Sequence, residues 1–359
     1  MSNANAQVGS ERPGVAGAVY AMTNDASENR VLVYRRNSKG LLTFHRPVLT
    51  HGRGSGGVLD PLQSQGSLAL SEDDKFLFVA NAGSGTISSL RVVPSGLAFV
   101  DQTNSGGAQP LSIAIDGDLL YVLNNANITG FRILHDGSLS AIPASTRFLA
   151  AILARDLGAS DIAFSPNGSF LVLTERLANQ IVVFPVEADG VTGTPVDNNS
   201  HGNTPFSCAF TPSGVLIVAE VAGGPDGAAA ASSYTIAMDG TLQLISGSVP
   251  TQGTAACWNV VTRDGKACVV TNAGSSTETL FAVSEAGELS FVNVTSAGPN
   301  TTPIDTAFTP DGLFLYTLNA KAGSISAYRL DESSRTLTLL GSVSDGLTGS
   351  SGLNGLAAR

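Results

Sequence analysis

Short apolar runs alternate with polar, glycine-containing turns along the chain, and this alternation repeats. Six segments share one pattern of apolar and polar positions: "SLALSEDDKFLFVANAGSGTISSLRV" from Ser67, "SIAIDGDLLYVLNNANITGFRI" from Ser112, "DIAFSPNGSFLVLTERLANQIVVFPV" from Asp161, "SCAFTPSGVLIVAEVAG" from Ser207, "WNVVTRDGKACVVTNAGSSTETLFAV" from Trp258 and "DTAFTPDGLFLYTLNAKAGSISAYRL" from Asp305. Their starts lie 45, 49, 46, 51 and 47 residues apart, which is the spacing of four-stranded propeller blades. Each segment predicts strand a, a tight turn, strand b, a longer loop and strand c, and a further turn and strand d follow.

The two ends of the chain predict a seventh unit. The amino-terminal "GAVYAMTNDASENRVLVYRRNSKGLLTFHRPVL" supplies strands b, c and d, and the carboxy-terminal "NGLAAR" supplies the missing strand a. Pairing the two ends removes an open sheet edge and ties the ring. The prediction is an all-β, seven-bladed propeller with four-stranded blades. A flexible segment, 1–16, precedes a single domain, 17–359, whose last residues, 355–359, complete the first blade.

Charge and hydropathy exclude several classes of protein. The net charge is −10 and the calculated pI about 4.8, so no nucleic-acid partner and no anionic membrane surface is expected. No apolar run approaches the ~20 residues of a membrane-spanning helix, and the start lacks the pattern of an export signal. We therefore expect a cytoplasmic protein from the chain as written, or a secreted one if its amino terminus has been trimmed, and a monomer or weak homodimer.

The three cysteines do not predict a disulfide framework. If "WNVVTRDGKACVV" is a hairpin that turns at Asp264-Gly265, Cys268 faces Val261 rather than Cys257. A bridge between Cys257 and Cys268 is therefore disfavoured, and no metal-type CxxC spacing occurs. Buried thiols are expected, and no metal site.

The last residue of strand b is polar in every unit. In a propeller the b-to-c and d-to-a loops share one face, around the entrance of the central channel, which we call the channel face. An asparagine at this position hydrogen-bonds local backbone at the turn. A glutamate does not have this local role, so its carboxylate is available for another function. We therefore take this ring as candidate substrate-binding positions. Five units carry asparagine and two carry glutamate: Asn24, Asn81, Asn124, Asn272 and Asn319, with Glu175 and Glu220.

Through "FSPNGSFLVLTE", "FTPSGVLIVAE" and "FTPDGLFLYTLN" the chain resembles the lactonase-type seven-bladed propellers, which include 6-phosphogluconolactonase and the fungal carboxymuconate cyclase. The resemblance implies a glutamate at the end of strand b facing the channel, and "VLTERLANQIVVF" matches it at Glu175. A partly desolvated carboxylate has a raised pKa and acts as a general acid or base near neutral pH. In the alternative interpretation, Glu175 is a solvated or salt-bridged loop residue and Arg176 points outward.

The rest of the family's pattern is absent. Members commonly carry "PRH" or "PSH" ahead of strand a, where this chain reads "GASDIAF", "AQPLSIAI", "NTPFSCAF" and "TPIDTAF". Neither the arginine nor the histidine is present. This departure argues against hydrolysis of a phosphorylated sugar lactone, because phosphate recognition uses clusters of Arg or Lys.

Other polar groups on the channel face are therefore candidates for binding and catalysis. Arg53, in the glycine-rich loop "HGRGSGGVLDPLQSQGS", is a candidate catalytic residue that anchors an anionic or carbonyl oxygen, and Gln65 in the same loop is a candidate binding residue. His201 is a candidate proton carrier, and Arg147 a second binding cation. Trp258, the single tryptophan, either stacks on a planar substrate or packs at the centre of the ring.

The connection from 144 to 161 is long for a propeller. Phe148, Leu149, Ile152 and Leu153 fall at helical spacing, which predicts a short helix that closes the channel mouth as a lid or fills the core between blades. Arg155 lies in the same segment. 

Two functions remain open at this point. The first is a cofactor-independent enzyme, a cyclase, isomerase or lactonase, that acts on a small cyclic or ring-forming organic substrate by acid-base catalysis in a channel-face pocket. The second is a non-catalytic propeller that binds a small molecule or a protein on that face.

Overall fold

The computed structural model describes residues 15–149, 158–224, 228–331 and 333–359. Within them, the chain forms seven antiparallel sheets arranged as the blades of a propeller. The predicted fold is confirmed. No helix of the length and hydropathy of a membrane span occurs in this part of the chain.

The blades, numbered I to VII along the chain, contain the following strands. Blade I has β1 (Val15–Met22), β2 (Arg30–Asn37) and β3 (Leu42–Leu49), joined by β29 (Asn354–Ala358). Blade II has β4 (Leu68–Leu70), β5 (Phe76–Asn81), β6 (Thr86–Val93) and β7 (Gly96–Asn104). Blade III has β8 (Pro110–Asp116), β9 (Leu119–Asn124), β10 (Asn127–Ile133), β11 (Leu139–Ala141) and β12 (Arg147–Phe148).

The remaining four blades each have four strands. Blade IV has β13 (Ala159–Phe164), β14 (Phe170–Glu175), β15 (Gln180–Pro185) and β16 (Val196–Asn199). Blade V has β17 (Asn203–Phe210), β18 (Leu216–Ala222), β19 (Ala230–Ile236) and β20 (Leu242–Pro250). Blade VI has β21 (Ala256–Val261), β22 (Ala267–Asn272), β23 (Thr277–Val283) and β24 (Leu289–Ser296). Blade VII has β25 (Pro303–Phe308), β26 (Phe314–Asn319), β27 (Ser324–Asp331) and β28 (Thr336–Val343).

Both chain ends lie in blade I. The carboxy-terminal β29 pairs antiparallel with β1, with Val19 opposite Ala358 and Tyr20 opposite Ala357. The strand order β29-β1-β2-β3 therefore closes the ring as predicted from the sequence. Strand β1 begins at Val15, inside the segment 1–16, and residues 1–14 lie outside the described part of the chain.

The hydrophobic core lies between the blades. Most apolar clusters join residues of two neighbouring blades, such as Leu123 of blade III with Leu173 of blade IV, or Val172 of blade IV with Val218 of blade V. The inner strands are apolar on both faces because each face packs on a neighbouring blade, whereas the outer strands alternate between exposed and half-buried residues.

The long connection after blade III departs from the expected helix. Arg147 and Phe148 pair with Ile128 and Asn127 as a second outer strand, β12. Phe148 is exposed, while Leu149 is buried between blades III and IV. The two side chains point different ways, so they do not form one helical stripe. Ile152, Leu153 and Arg155 lie outside the described residues.

The three cysteines are buried and free. Cys268 pairs with Val261 across the hairpin, the register predicted from the sequence.

Candidate functional site

A loop of blade I closes the channel. We call residues 60–66, "DPLQSQG", the plug. They lie in the connection from β3 to β4, the d-to-a position on the channel face. Ser64 donates from Oγ to Leu111 O of blade III (3.0 Å) and accepts at its carbonyl from Trp258 Nε1 of blade VI (3.0 Å). Gln65 binds both backbone groups of Asn259, accepting from its N (3.0 Å) and donating to its O (2.7 Å).

These contacts reach across the ring. The backbone N of Gln65 also donates to Ser160 O of blade IV, and Asn354 Nδ2 of blade I donates to Asp60 Oδ1 (3.1 Å). A loop anchored to inner strands on opposite sides of a ring must cross its axis. The plug therefore forms the floor of any pocket on the channel face.

Two buried aspartates, each the third residue of its strand a, lie beneath the plug. Asp161 accepts from Ser112 Oγ (3.0 Å) and from Cys208 N (2.9 Å), residues of the two neighbouring blades. Asp305 accepts from Gly355 N (2.7 Å). Burial raises the pKa of each to about 7. Their hydrogen bonds tie neighbouring inner strands together, so we assign them a structural role.

The strand-end asparagines are fully buried. Asn81 donates from Nδ2 to Ser88 Oγ (2.8 Å) and accepts at Oδ1 from Thr50 Oγ1 (2.8 Å). Asn272 and Asn319 make the same bond to the hydroxyl seven residues on, at Thr279 Oγ1 and Ser326 Oγ (both 2.8 Å). In blade III, Asn124 bonds Asn127 Oδ1 instead (2.8 Å). These amides mainly bind side chains of strand c rather than the turn backbone expected from the sequence, and their role is structural.

Glu220 shares that environment. It is fully buried in blade V, and its two oxygens accept from Gly202 N (3.0 Å) and Ser248 Oγ (2.8 Å). A Cβ added to Gly202 or Gly223 would collide with Oε2 of this carboxylate. The backbone of both glycines therefore encloses Glu220, and the geometry favours a role in holding the loop.

Glu175 differs from all of these. Because Thr174 Oγ1 bonds Phe206 O of blade V, strand alternation directs Glu175 toward blade III. The residue is 4% exposed, and its side chain makes no hydrogen bond within the described part of the chain. Burial raises its pKa to about 7, and the charge of Asp197 adds to the shift.

Arg176 lies on the channel side of the same loop, not outward. It is half-buried, its backbone N donates to Gly158 O (3.0 Å), and its side chain packs on Gly158. Burial raises the pKa of Asp60 on the plug and of Cys257 in the inner strand of blade VI, and the charge of Arg176 offsets a small part of both increases. The guanidinium therefore lies at the channel mouth.

The other candidate catalytic residues lie apart from this position. Arg53 is exposed, and its backbone bonds Gly83 and Ser84 in a blade II loop. His201 is also exposed, and its ring rests on Gly247 of the outermost strand of blade V. The structure therefore does not bring Glu175, Arg53 and His201 together.

The candidate binding residues outside the asparagine ring make structural contacts. Arg147 donates from Nη2 to Thr192 O (2.8 Å) and from Nη1 to Ala144 O (2.6 Å), which fixes the connection after blade III. Trp258 is buried against Phe206, with ring centroids 5.1 Å apart, and Gln65 belongs to the plug. Packing is the interpretation of Trp258 that this geometry favours.

The plug and Arg176 are the features that sequence reasoning missed. Residues 50–67 separate β3 from β4, whereas only residues 105–109 separate β7 from β8. A d-to-a connection of that length, with a buried leucine at Leu62 and two glutamines around Ser64, was an available signal. Within the described residues, no cluster of His, Cys, Asp and Glu could hold a metal ion.

Comparison with known proteins agrees with the geometry. The family model "Lactonase, 7-bladed beta-propeller" matches residues 18–152, 118–222 and 228–347. No curated protein matches the chain at the sequence level.

Solved structures show the same fold at low identity. A periplasmic gluconolactonase, PpgL, from Pseudomonas aeruginosa is 21% identical, with a TM-score of 0.73 over 94% of this chain and 98% of that one. A candidate 6-phosphogluconolactonase from Bacteroides fragilis is 17% identical, with a TM-score of 0.73 over 96% and 98%. A protein from Lactobacillus plantarum is 18% identical, with a TM-score of 0.74 over 96% and 99%. Such identities establish the fold alone, but the family model spans most of the chain, and the chain belongs to the lactonase family of seven-bladed β-propellers.

Proposed function

We propose that this protein is a cofactor-independent, lactonase-type enzyme that acts on a small cyclic or ring-forming organic substrate at the channel face. Its reaction is either the opening of a lactone ring or the cyclisation or isomerisation of a ring-forming substrate. Either reaction proceeds by acid-base catalysis. The observation that carries the proposal is Glu175. It is a buried carboxyl on the channel face with a pKa of about 7 and no hydrogen-bond partner among the described residues.

A pKa near 7 suits proton transfer in either direction. As a carboxylate, Glu175 accepts a proton from the water that attacks a lactone carbonyl, and as a carboxylic acid it donates the proton that the leaving alcohol needs. Both forms are populated near neutral pH, so one residue can serve as base and then as acid.

The charge of the face limits the substrate. The arginine and histidine expected ahead of strand a are absent, and Arg176 supplies a single guanidinium near the plug. Recognition of a phosphorylated sugar uses several cations. We therefore propose a neutral or singly charged substrate with a largely apolar body.

The test is turnover of a panel of lactones and muconate-like acids by the Glu175→Gln variant. We expect kcat/KM to fall by about 100-fold or more, the usual contribution of a general acid or base. The matched control is Glu278→Gln. Glu278 is another buried carboxyl, whose pKa burial raises to about 8, but it bonds Thr271 within blade VI. Turnover that survives Glu175→Gln contradicts the mechanism.

One observation favours a second function, a propeller that binds a small molecule without turnover. Glu175 points toward blade III, and the groups on the plug lie toward the channel, so an acid, a base and an anchor do not meet at one point within the described residues. Saturable binding without turnover by the wild-type protein would support this alternative.

A further inference from the structure

We propose that the channel mouth holds a carboxylate-binding site formed by Arg176 and the plug residue Asp60, with Asn354 as the group that positions Asp60. The ligand class is a small organic monocarboxylate, such as the hydroxy acid formed when a lactone ring opens. The proposal rests on the proposed function for the source of the ligand, which is the product of the reaction. Binding of the ligand is tested independently of turnover.

The first argument is the placement of the two side chains. Asp60 is half-buried on the channel face and receives the Asn354 amide at Oδ1. Arg176 approaches from the opposite part of the ring, on the loop after β14. Asp60 belongs to a loop of blade I, and Arg176 to blade IV. The plug connects the two regions, because Gln65 donates from its backbone N to Ser160 O and Arg176 packs on Gly158, two residues before Ser160.

The second argument is the gap between them. The charge of Arg176 offsets a small part of the pKa increase that burial gives Asp60, yet neither group takes part in an ion pair within 4.0 Å among the described residues. Two polar side chains that approach each other without touching leave room for a third group. A carboxylate placed there would contact the guanidinium on one side and Asp60 on the other.

The third argument is unused hydrogen-bonding capacity. Arg176 Nε is a buried donor without a partner among the described residues. Buried polar atoms of folded proteins are rarely left in this state. An arginine that offers Nε together with one Nη matches the two oxygens of a carboxylate.

The fourth argument is the backbone of the plug. Asp60 has φ of +40° directly before a proline, and Gln63 has φ of +49°. Both values lie in the left-handed region that non-glycine residues seldom adopt, and such strain clusters at ligand sites. Here it holds the Asp60 side chain over the floor of the channel.

The protonation state of Asp60 fits an anionic ligand. Burial raises its pKa well above the usual value, and the nearby charge of Asp305 adds to this, while Asn354 and Arg176 act in the opposite direction. A neutral carboxylic acid does not repel a carboxylate and donates an O–H hydrogen bond to it. An ionised Asp60 would neutralise Arg176 and exclude the ligand.

The test measures the equilibrium binding of benzoate and gluconate. Each is compared with an uncharged analogue, benzamide for benzoate and sorbitol for gluconate. Isothermal titration calorimetry gives the affinity. The fluorescence of Trp258, whose indole bonds the plug, reports whether the plug is perturbed. We expect at least one carboxylate to bind about tenfold more tightly than its analogue, and Arg176→Gln to weaken it by about tenfold or more. Arg176→Lys should lose less, because it keeps the charge but not the bidentate geometry.

Two further variants complete the design. Arg263→Gln removes an exposed cation from an a-to-b turn on the opposite face and should leave the affinity unchanged. Asp60→Ala removes the hydrogen-bonding group that the plug offers to the ligand and should weaken carboxylate binding. The proposal is overturned if no carboxylate binds at millimolar concentration, or if Arg176→Gln binds as the wild type does. Carboxylate binding that depends on Arg176, without turnover of any lactone, would contradict the proposed function and leave the site intact.

Discussion

Glu175 and Glu220 occupy the same position of the repeat in neighbouring blades, and their surroundings are opposite. Glu220 is enclosed by glycine backbone and accepts from Gly202 N and Ser248 Oγ. Glu175 has no such acceptor role within the described residues, and burial raises its pKa to about 7. The same residue at the same strand end is therefore a structural tie in one blade and a candidate for proton transfer in the next.

Two local differences accompany the contrast. Glu220 finds its partners on a loop and on strand d, at Gly202 and Ser248. Strand c of blade IV also lacks a hydroxyl, because Val182 lies opposite Leu173. The corresponding strand c residue is Ser232 in blade V, Ser88, Thr129, Thr279 and Ser326 in four of the five asparagine blades, and Val31 in blade I. A position in a repeat thus does not define a chemical role; its surroundings do.

The largest expected effect is on stability at Glu220. Glu220→Ala removes the acceptor of two buried donors, which should lower the free energy of unfolding by about 2–4 kcal/mol. Glu175→Ala removes no hydrogen bond of this kind and should cost less than about 1 kcal/mol. Urea denaturation of both variants measures the difference, and equal losses would erase the contrast between the two blades.

A second, pH-dependent effect distinguishes the same residues. The pKa of Glu175 is higher in the folded protein than in the unfolded chain, so its contribution to stability is complete below about pH 4.5 and is lost as the pH rises through about 7. Glu175→Gln should therefore match the wild type at pH 4 and exceed its stability by about 1–3 kcal/mol at pH 8. Denaturation at the two pH values tests this, and a variant that is less stable than the wild type at pH 8 would show that the carboxylate is stabilised after all.

A smaller effect comes from giving Glu175 the missing hydroxyl. Val182→Thr places an Oγ where four of the five asparagine blades have one, and a hydrogen bond to the carboxylate lowers its pKa. We expect a decrease of about one unit, read from the 13C shift of the carboxyl in a Glu-labelled sample with Glu175→Gln as the assignment control. An unchanged pKa would mean that Val182 is not the cause of the difference.

The smallest effect concerns Asp197. Burial is the main cause of the raised pKa of Glu175, and the charge of Asp197 is the second, smaller cause. Because Asp197 is exposed, solvent and salt screen it, and Asp197→Asn should lower the pKa of Glu175 by only a few tenths of a unit. The same titration at low and high salt checks this, since the shift should shrink further as salt is added. A shift as large as that of Val182→Thr would make charge, rather than burial, the main cause.

Much of the fold was predictable because its causes are local. The spacing of apolar runs gave the seven blades, and "NGLAAR" gave the closing strand, since each rests on the pattern of a short segment. The hairpin register that pairs Cys268 with Val261 followed in the same way. The helix expected across Phe148 and Leu149 was wrong, because pairing with β10 outweighs helical spacing in a segment this short.

The candidate site was predictable only in part. The sequence identified the channel face and the two glutamates at the strand ends. It did not show that Val182 replaces a hydroxyl, although the position seven residues after Glu175 carries that information once the register is known. Nor did it show that Arg176 turns toward the channel. The alternation of side chains along a strand predicts which residues share a face, but not which part of the protein that face contacts.

The sequence by itself determined the ring: repeated short apolar strands, glycine turns such as the one at Gly168 with φ of +68°, and two chain ends that form one blade. The tertiary structure alone decided the chemistry of its centre. Asp60 meets Asn354, a residue 294 positions away, and Ser64 meets Trp258. Burial, charge and hydrogen bonding at a propeller's axis are set by residues that every blade contributes from distant parts of the chain. A local pattern therefore fixes the strands but not the partners that define the site.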